Sequence, residues 1–289
     1  MREVNDQLIR TIFKPRALTA RKYDYGHLMV VGGSKLYTGA PTLAGMAAMR
    51  TGCDVVTMAA PRRAADVAAN MNPGLVTWPL EGDILYAMHM PELRKLIEEK
   101  TACVIGNGLG KEEPTLQTVR AFLKECPIPC VVDADAIRGL VNQRTEVVKG
   151  KPYVLTPHAF EFSLITGIHP GKYPLEERIG IVKNAAKTLK CVVVLKGHED
   201  IISDGREIAV NRTGSPYMTK GGTGDTLAGI IGALLARAIE PFEAAQAGCW
   251  INGKAGERAG HLKGEGMLAT DLIDEIPHVL VETLEFVHD

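Results

Sequence analysis

Several short runs of this chain are apolar from end to end. Cys191–Leu195 reads CVVVL and Leu28–Val31 reads LMVV, with no polar residue at every second position. A strand with one wet face alternates apolar and polar side chains, so a strand with no polar side needs cover on both faces, as in a parallel sheet between two helix layers. His27–Val31, Asp54–Met58, Leu75–Trp78, Ala102–Ile105, Cys130–Val132, Tyr153–Leu155 and Cys191–Leu195 read as such strands. Longer segments of helical period separate them, and the alternation predicts an α/β chain: a three-layer α/β/α sandwich on a mainly parallel central sheet.

The helices carry recognisable starts and stops. Pro41, Pro91, Pro114 and Pro241 stand where helices open, and Gly52 follows the end of one. Ile201–Ser203 and Ile208–Val210 flank Asp204-Gly205, which predicts a hairpin at the edge of the sheet, because Asp-Gly supplies the positive φ of a tight turn. There is no repeat, low-complexity tract or linker, so 1–289 reads as one large domain, with 1–25 as a surface helix or a helical arm. The C-terminal stretch DLIDEIPHVLVETLEFV reads as a docked helix or an interface between subunits of a homo-oligomer.

Lys and Arg number 33 against 34 Asp and Glu, a net charge of -1, so no global field recruits nucleic acid or an anionic membrane. No uncharged run reaches the ~18 residues of a spanning helix, and the N-terminus lacks the continuous apolar core of a signal peptide. The six cysteines are scattered and lack zinc-site spacing. They read as reduced core residues, which favours a cytoplasmic location; Cys126-Pro-Ile-Pro-Cys130 is the one close pair.

The strongest chemical signal is Lys220-Gly-Gly-Thr-Gly-Asp225-Thr-Leu-Ala-Gly229, followed by IIGALLARA. A glycine-rich turn opens a helix there, so unpaired backbone N–H groups converge where the helix dipole favours an anion, and a phosphate fits. Asp225 falls in the first helical turn, where those N–H groups predict an ionised carboxylate. Beside a phosphate site, a carboxylate can take the proton of a hydroxyl that attacks a phosphoryl group. The plainer reading is a turn whose aspartate merely caps the helix.

That segment resembles the anion hole and catalytic base of the ribokinase-like superfamily, and its Gly-Thr-Gly-Asp form is similar to the NAD(P)H-hydrate dehydratase branch, the YjeF C-terminal domain family. Four more segments agree in order: GHLMVVGGSKLYTGAPTLAGMAAMRTG (26–52), VIGNGLG (104–110), VVDADAIRGL (131–140) with TPHAFEF (156–162), and VVVLKGHEDII (192–202). The resemblance covers nearly the whole chain.

It implies dehydration of the S-hydrates of NADH and NADPH (NADHX and NADPHX), driven by ADP or ATP with Mg²⁺, and phosphate leaving with AMP or ADP. Asp225 is then the base, and Gly222, Thr223 and Gly224 hold the transferring phosphate. Ala40, Gly108 and His158 match substrate contacts. Lys196, Gly197, His198, Glu199 and Asp200 form the nucleotide segment. Glu161 matches a glutamate that organises Mg²⁺ through water. Ala159-Phe160 replaces the family's usual Pro-Gly and puts the local backbone shape in question.

Asp133 and Asp135 end a strand, where paired carboxylates serve Mg²⁺, ribose or a helix cap equally well. Asn211–Pro216 precedes the glycine turn and is expected to shape the nucleotide pocket. The resemblance also implies a partner, an epimerase that interconverts the R and S hydrates, here supplied by a separate protein. The alternative is a ribokinase-like kinase of a vitamin precursor or sugar; a third reading is a nucleotide-binding regulator without turnover.

Overall fold

The computed structural model describes residues 2–284. Its ten strands are β1 (Arg2–Glu3), β2 (His27–Val31), β3 (Val55–Pro61), β4 (Val76–Leu80), β5 (Ala102–Ile105), β6 (Cys130–Val132), β7 (Tyr153–Leu155), β8 (Val192–Leu195), β9 (Asp200–Ser203) and β10 (Ile208–Asn211). They form one sheet in the order β1-β10-β9-β8-β7-β6-β5-β2-β3-β4. Every neighbouring pair is parallel except β9, which runs antiparallel to both β8 and β10.

Twelve α-helices flank the sheet: α1 (Asp6–Ile12), α2 (Ala40–Arg50), α3 (Arg62–Met71), α4 (Met90–Ile97), α5 (Glu113–Glu125), α6 (Asp135–Gly139), α7 (Arg144–Val148), α8 (Ala159–Thr166), α9 (Leu175–Leu189), α10 (Thr223–Ala236), α11 (Pro241–Lys263) and α12 (Ala269–Leu284). Successive residues of one strand enter opposite cores, as the period of two requires. Leu28 and Val30 pack with α2, α10, α11 and α12, whereas Met29 and Val31 pack with helices α4 to α9. The fully apolar strands are therefore covered twice, and the three-layer sandwich expected from them is what forms.

Local differences have physical causes. β3 runs on through Ala59, Ala60 and Pro61, pairing Ala60 with Pro79 and Pro61 with Leu80 of β4. Pro79 is tolerated because β4 is the edge strand, and Pro61 because it ends β3 beyond Ala59, the last residue that pairs with β2, so the β3–β4 pair runs on past the point where the sequence suggested it ends. The hairpin lies one strand in from the edge, because β1 pairs with β10 outside it. The first 25 residues do not form a long arm: helix is confined to α1, capped by Asn5 Oδ1 on the Gln7 N–H at 3.1 Å, and Ile9 and Phe13 are buried in the body. The C-terminal stretch docks, with Leu272, Ile273 and Ile276 fully buried; its residues 285–287 lie outside the described residues.

Candidate active site

The site gathers at the carboxyl ends of the parallel strands, where loops leave the sheet. Gly222 caps α10 with φ of +100°, and a Cβ there would lie 2.7 Å from Leu43 Cδ1 and 2.8 Å from Ala269 Cβ. Both the backbone angle and the packing demand glycine at this position. Thr223 ties the turn to the helix, its hydroxyl donating to the carbonyls of Met218 at 2.8 Å and Lys220 at 3.1 Å. The amides of the first helical residues stand at the N-terminus of α10, where unpaired N–H groups and the helix dipole favour an anion.

Asp225 follows in the first turn of α10, mostly buried. Its Oδ1 accepts a hydrogen bond from Asn107 Nδ2 at 2.7 Å, and the same nitrogen donates to Asp133 Oδ2 at 3.0 Å. Burial first, then the nearby negative charge of Asp133, raise the Asp225 carboxyl to about 7. The expectation that Asp225 stays ionised is therefore met only above neutrality, because loss of hydration works against the hydrogen bond and the helix terminus. A carboxyl that titrates near neutrality is suited to accept and release a proton.

Asp133, 1% exposed, is surrounded by donors. Its Oδ1 accepts from Thr156 Oγ1 at 2.7 Å and from Lys196 Nζ at 2.8 Å. Of the three roles left open for Asp133 and Asp135, helix capping does not occur, because α6 has no side-chain cap. Asp133 is a buried counter-charge for Lys196. Asp135 instead accepts the Gly110 N–H at 2.9 Å and lies 3.6 Å from Arg138.

Lys196 connects this network to the glycine turn, since a Cβ on Gly224 would stand 3.4 Å from its Nζ. Burial disfavours the ammonium, but the carboxylates of Asp133 and Glu161 prevail and hold it above the ordinary lysine value. Beyond Lys196 opens a cavity of about 390 Å³, lined in part by Gly197, His198, Asp200, Thr223 and Gly224, with the loop 212–216 on its far wall. The nucleotide segment is only partly turned toward it. Glu199 stands outside the lining and pairs with Arg178 at 3.3 Å. Asp200 spends its carboxylate on the Gly197 N–H and Asn211 Nδ2, both at 3.1 Å, bracing the loop.

The expected substrate contacts lie on loops that leave β2, β5 and β7, and His158 pairs directly with Lys196 in an isolated bridge. Gly108, at φ of +70°, approaches Tyr37 and Ala40 so closely that a Cβ would fall 2.9 Å from Tyr37 and 3.1 Å from Ala40 Cβ. His158 caps α8: its Nδ1 accepts the N–H groups of Phe160 and Glu161 at 3.2 Å, and Glu161 Oε2 accepts the His158 N–H at 3.0 Å. An accepting Nδ1 places the imidazole proton on Nε2, which lies 3.3 Å from Glu161 Oε1. Ala159-Phe160 in place of Pro-Gly leaves this cap whole. The added ring of Phe160, half exposed, stacks beside His158 with centroids 6.4 Å apart and sits under the Arg138 guanidinium.

Glu161 is 5% exposed, and burial raises its carboxyl, with Lys196 opposing and Asp133 reinforcing the shift. Among the described residues no cluster of three or more His, Cys, Asp or Glu could hold a metal alone. Glu161, with Asp133 and Asp225 acting on the same Lys196, supplies oxygen donors of the kind Mg²⁺ takes when it is carried mainly on nucleotide phosphates and water.

Sequence reasoning passed over Asn107. It lies inside the quoted GNGLG motif, and its signal was an amide side chain set between two glycines directly after a buried strand.

A doubly covered parallel sheet with a glycine turn, a helix N-terminus and a buried aspartate at its carboxyl edge belongs to the ribokinase-like fold class. A ribokinase-like superfamily protein from Enterococcus faecalis superposes with a TM-score of 0.84 at 22% identity, covering 98% of this chain and 96% of that one. Residues 28–278 match the family model Carb_kinase, described as NAD(P)H-hydrate dehydratase, and the chain belongs to that family. The ADP-dependent (S)-NAD(P)H-hydrate dehydratase of Cenarchaeum symbiosum is 35% identical over 281 residues, 96% of each chain. The bifunctional NAD(P)H-hydrate repair enzyme Nnr of Pyrobaculum aerophilum is 40% identical over 267 residues, 92% of this chain but 52% of that protein. The chain thus spans about half the length of the bifunctional relatives it matches. The ADP/ATP-dependent NAD(P)H-hydrate dehydratase of Bacillus subtilis, co-crystallized with ATP and Mg²⁺, superposes with a TM-score of 0.83 at 27% identity, covering 98% of both chains.

Proposed function

We propose that the chain dehydrates the S-hydrates of NADH and NADPH at the expense of ADP or ATP, restoring the reduced cofactor and releasing phosphate with AMP or ADP. The observation that carries this reading is the position of Asp225: a carboxyl titrating near 7, directly after a glycine turn that lines the cavity at Lys196, and hydrogen-bonded to Asn107 of the loop that carries Gly108. The relatives' names supply the substrate class and the donor.

In this mechanism the nucleotide lies in the 390 Å³ cavity with its terminal phosphate at the N–H groups of Gly222, Thr223 and Gly224. Lys196 offsets phosphate charge as it now offsets Asp133. Ala40 and Gly108 leave room for the flat hydrated ring, and His158 offers its Nε2 proton to the substrate. Asp225 takes the proton of the ring hydroxyl as that oxygen attacks the terminal phosphorus and AMP or ADP leaves; the phosphate then departs with its bonding electrons, pushed out by the ring nitrogen lone pair, and the adjacent ring carbon gives up a proton to solvent, which restores the double bond. Mg²⁺, when bound, draws charge from the phosphate oxygens, with Glu161 the carboxylate to hold its water shell. Gly197, His198, Glu199 and Asp200 shape the nucleotide loop, Glu199 through its backbone.

The R hydrate needs epimerisation before this site can use it, so the same reading includes a separate epimerase as partner; relatives about twice as long are named bifunctional repair enzymes. No helix among the described residues is long and apolar enough to cross a membrane; the six buried free thiols support a reducing, cytoplasmic setting. Assembly as a homo-oligomer belongs to the same proposal.

The test is absorbance of reduced nicotinamide after mixing the protein with NADHX and Mg²⁺, in parallel with ADP, ATP or no nucleotide. A rise that requires nucleotide is expected, and the donor giving the faster rise is the preferred one. A flat trace with every nucleotide, or accumulation of a stable phosphorylated product, would reject the reading in favour of a kinase.

A further inference from the structure

Asn107 is fully buried at the end of β5, and its amide nitrogen bridges two carboxylates, Asp133 Oδ2 at 3.0 Å and Asp225 Oδ1 at 2.7 Å. Its other terminal atom, Oδ1, is buried and finds no donor among the described residues. The orientation follows from Asp133, because turning the amide over would set its oxygen against Asp133 Oδ2 and withdraw the donor from that carboxylate. A core side chain that leaves one polar atom unsatisfied in order to aim both its hydrogens at carboxylates is unusual, and calls for a reason beyond packing.

The neighbouring glycines fix where the amide stands. A Cβ on Gly106 would overlap the Asp133 carbonyl oxygen, and one on Gly108 would crowd Tyr37 and Ala40. The Asn107 carbonyl also accepts the Gly33 N–H at 2.8 Å. The loop after β5 is therefore held from both sides and presents one side chain, Asn107, to Asp225. Among the described residues Asp225 Oδ2 accepts no hydrogen bond, whereas Oδ1 is occupied by the amide.

We propose that Asn107 is a positioning residue for the reaction: it pins Asp225 through Oδ1, so that Oδ2 is the oxygen offered to the reacting hydroxyl. It also keeps the two carboxylates at a set separation, with Asp133 anchored in turn by Lys196 and Thr156. This role rests on the reading of Asp225 as the base. Without the amide, the carboxylate can rotate and the two anions face each other directly.

The charged groups that act on Asp225 are Asp133 and Asp135 from the end of β6 and the start of α6, and Lys196 from the end of β8. The Asn107 donor favours the ionised form against the two aspartates, so its removal moves the carboxyl titration upward.

The experiment compares wild type with Asn107→Ala and with Asn107→Leu, which keeps the shape but has no donor. Both kcat and KM are measured with NADHX and ADP, and the carboxyl of Asp225 is titrated by infrared difference spectroscopy, its band identified by its loss in Asp225→Asn. The expected result is a kcat lower by about 10- to 100-fold, as for loss of one hydrogen bond to a charged group, with both KM values within about threefold and an Asp225 titration shifted upward. Unchanged kcat in a folded variant overturns the proposal, and so does an Asp225 titration identical to wild type. A loss shared between kcat and KM with a broadened melting transition assigns Asn107 to packing alone, which also overturns it. If alanine loosens the fold, the leucine variant decides. Absence of turnover in wild type rejects the functional reading separately, while the carboxyl titration still decides whether Asn107 governs Asp225.

Discussion

Gly229 of α10 and Ala44 of α2 meet backbone against backbone. A Cβ at Gly229 would overlap the carbonyl of Ala44, so the two helices approach as closely as main chains allow. The contact lies one turn beyond Asp225 and sets how far the catalytic end of α10 stands from α2. Gly229→Ala must separate the helices or strain them, an overpacking cost of about 1–3 kcal/mol or more. Thermal unfolding should show a clear drop in Tm. Gly180→Ala, in an exposed turn of α9 with open space around it, should instead stabilise by roughly 0.5–1 kcal/mol; an equal loss at both sites would discount the contact.

Asp225 links activity to pH. A base must be ionised to work, so kcat/KM should rise with pH through about 7 and then level off. An activity profile flat from pH 5 to 8 would contradict the raised value.

The same group acts on stability with the opposite preference. In the folded protein the carboxyl keeps its proton up to about 7, whereas in the unfolded chain it ionises near the ordinary ~4. Between those values the folded state binds the extra proton, so this contribution to stability is present at low pH and is lost as pH rises toward 7. Asp225→Asn should therefore melt at a higher temperature than wild type at pH 8, with the gap closing below about pH 4, while abolishing turnover. Equal melting temperatures at pH 8 would show that burial does not burden this group.

Lys196→Met should damage both binding and fold. It removes the cation beside the glycine turn and leaves Asp133 buried without its counter-charge, at a cost of about 3–5 kcal/mol for breaking a buried pair. Calorimetric titration with ADP should show at least about tenfold weaker binding. Affinity equal to wild type would remove Lys196 from the phosphate site.

All six cysteines are free and buried. The Cys126 thiol is drawn down to about 7, chiefly by its contact with Cys130 and against the effect of burial, and would react readily if it reached solvent. A thiol reagent at neutral pH should nevertheless label none quickly in the native protein and all six after denaturation. Rapid labelling of one thiol before unfolding would mean that the 126–130 segment opens in solution.

The layers of the fold were legible because a doubly buried strand writes itself as an uninterrupted apolar run, and CVVVL admits few other structures. The edges were harder to read. Pro61 and Pro79 look like strand breakers; the position of β4 at the margin makes Pro79 acceptable, and Pro61 is acceptable because it lies past the last β3 residue that pairs with β2. The two-residue strand β1 carries no apolar pattern that could announce it. At the site, glycines and the terminal position of Asp225 revealed an anion turn, since backbone geometry is local. The protonation of Asp225 was not local: it depends on Asp133, 92 residues away in the chain, and on a degree of burial that no spacing encodes. Asn107 escaped notice for the same reason, as its role is visible only when both carboxylates stand beside it.

The pairing of Arg2 and Glu3 with Ala209 and Val210 has a consequence for how the chain is made. Residues 2–4 leave the ribosome about two hundred residues before the strand they join, so they cannot be secured until β10 has followed. Helix α1, whose Ile9 is covered by α11 and α12, waits with them.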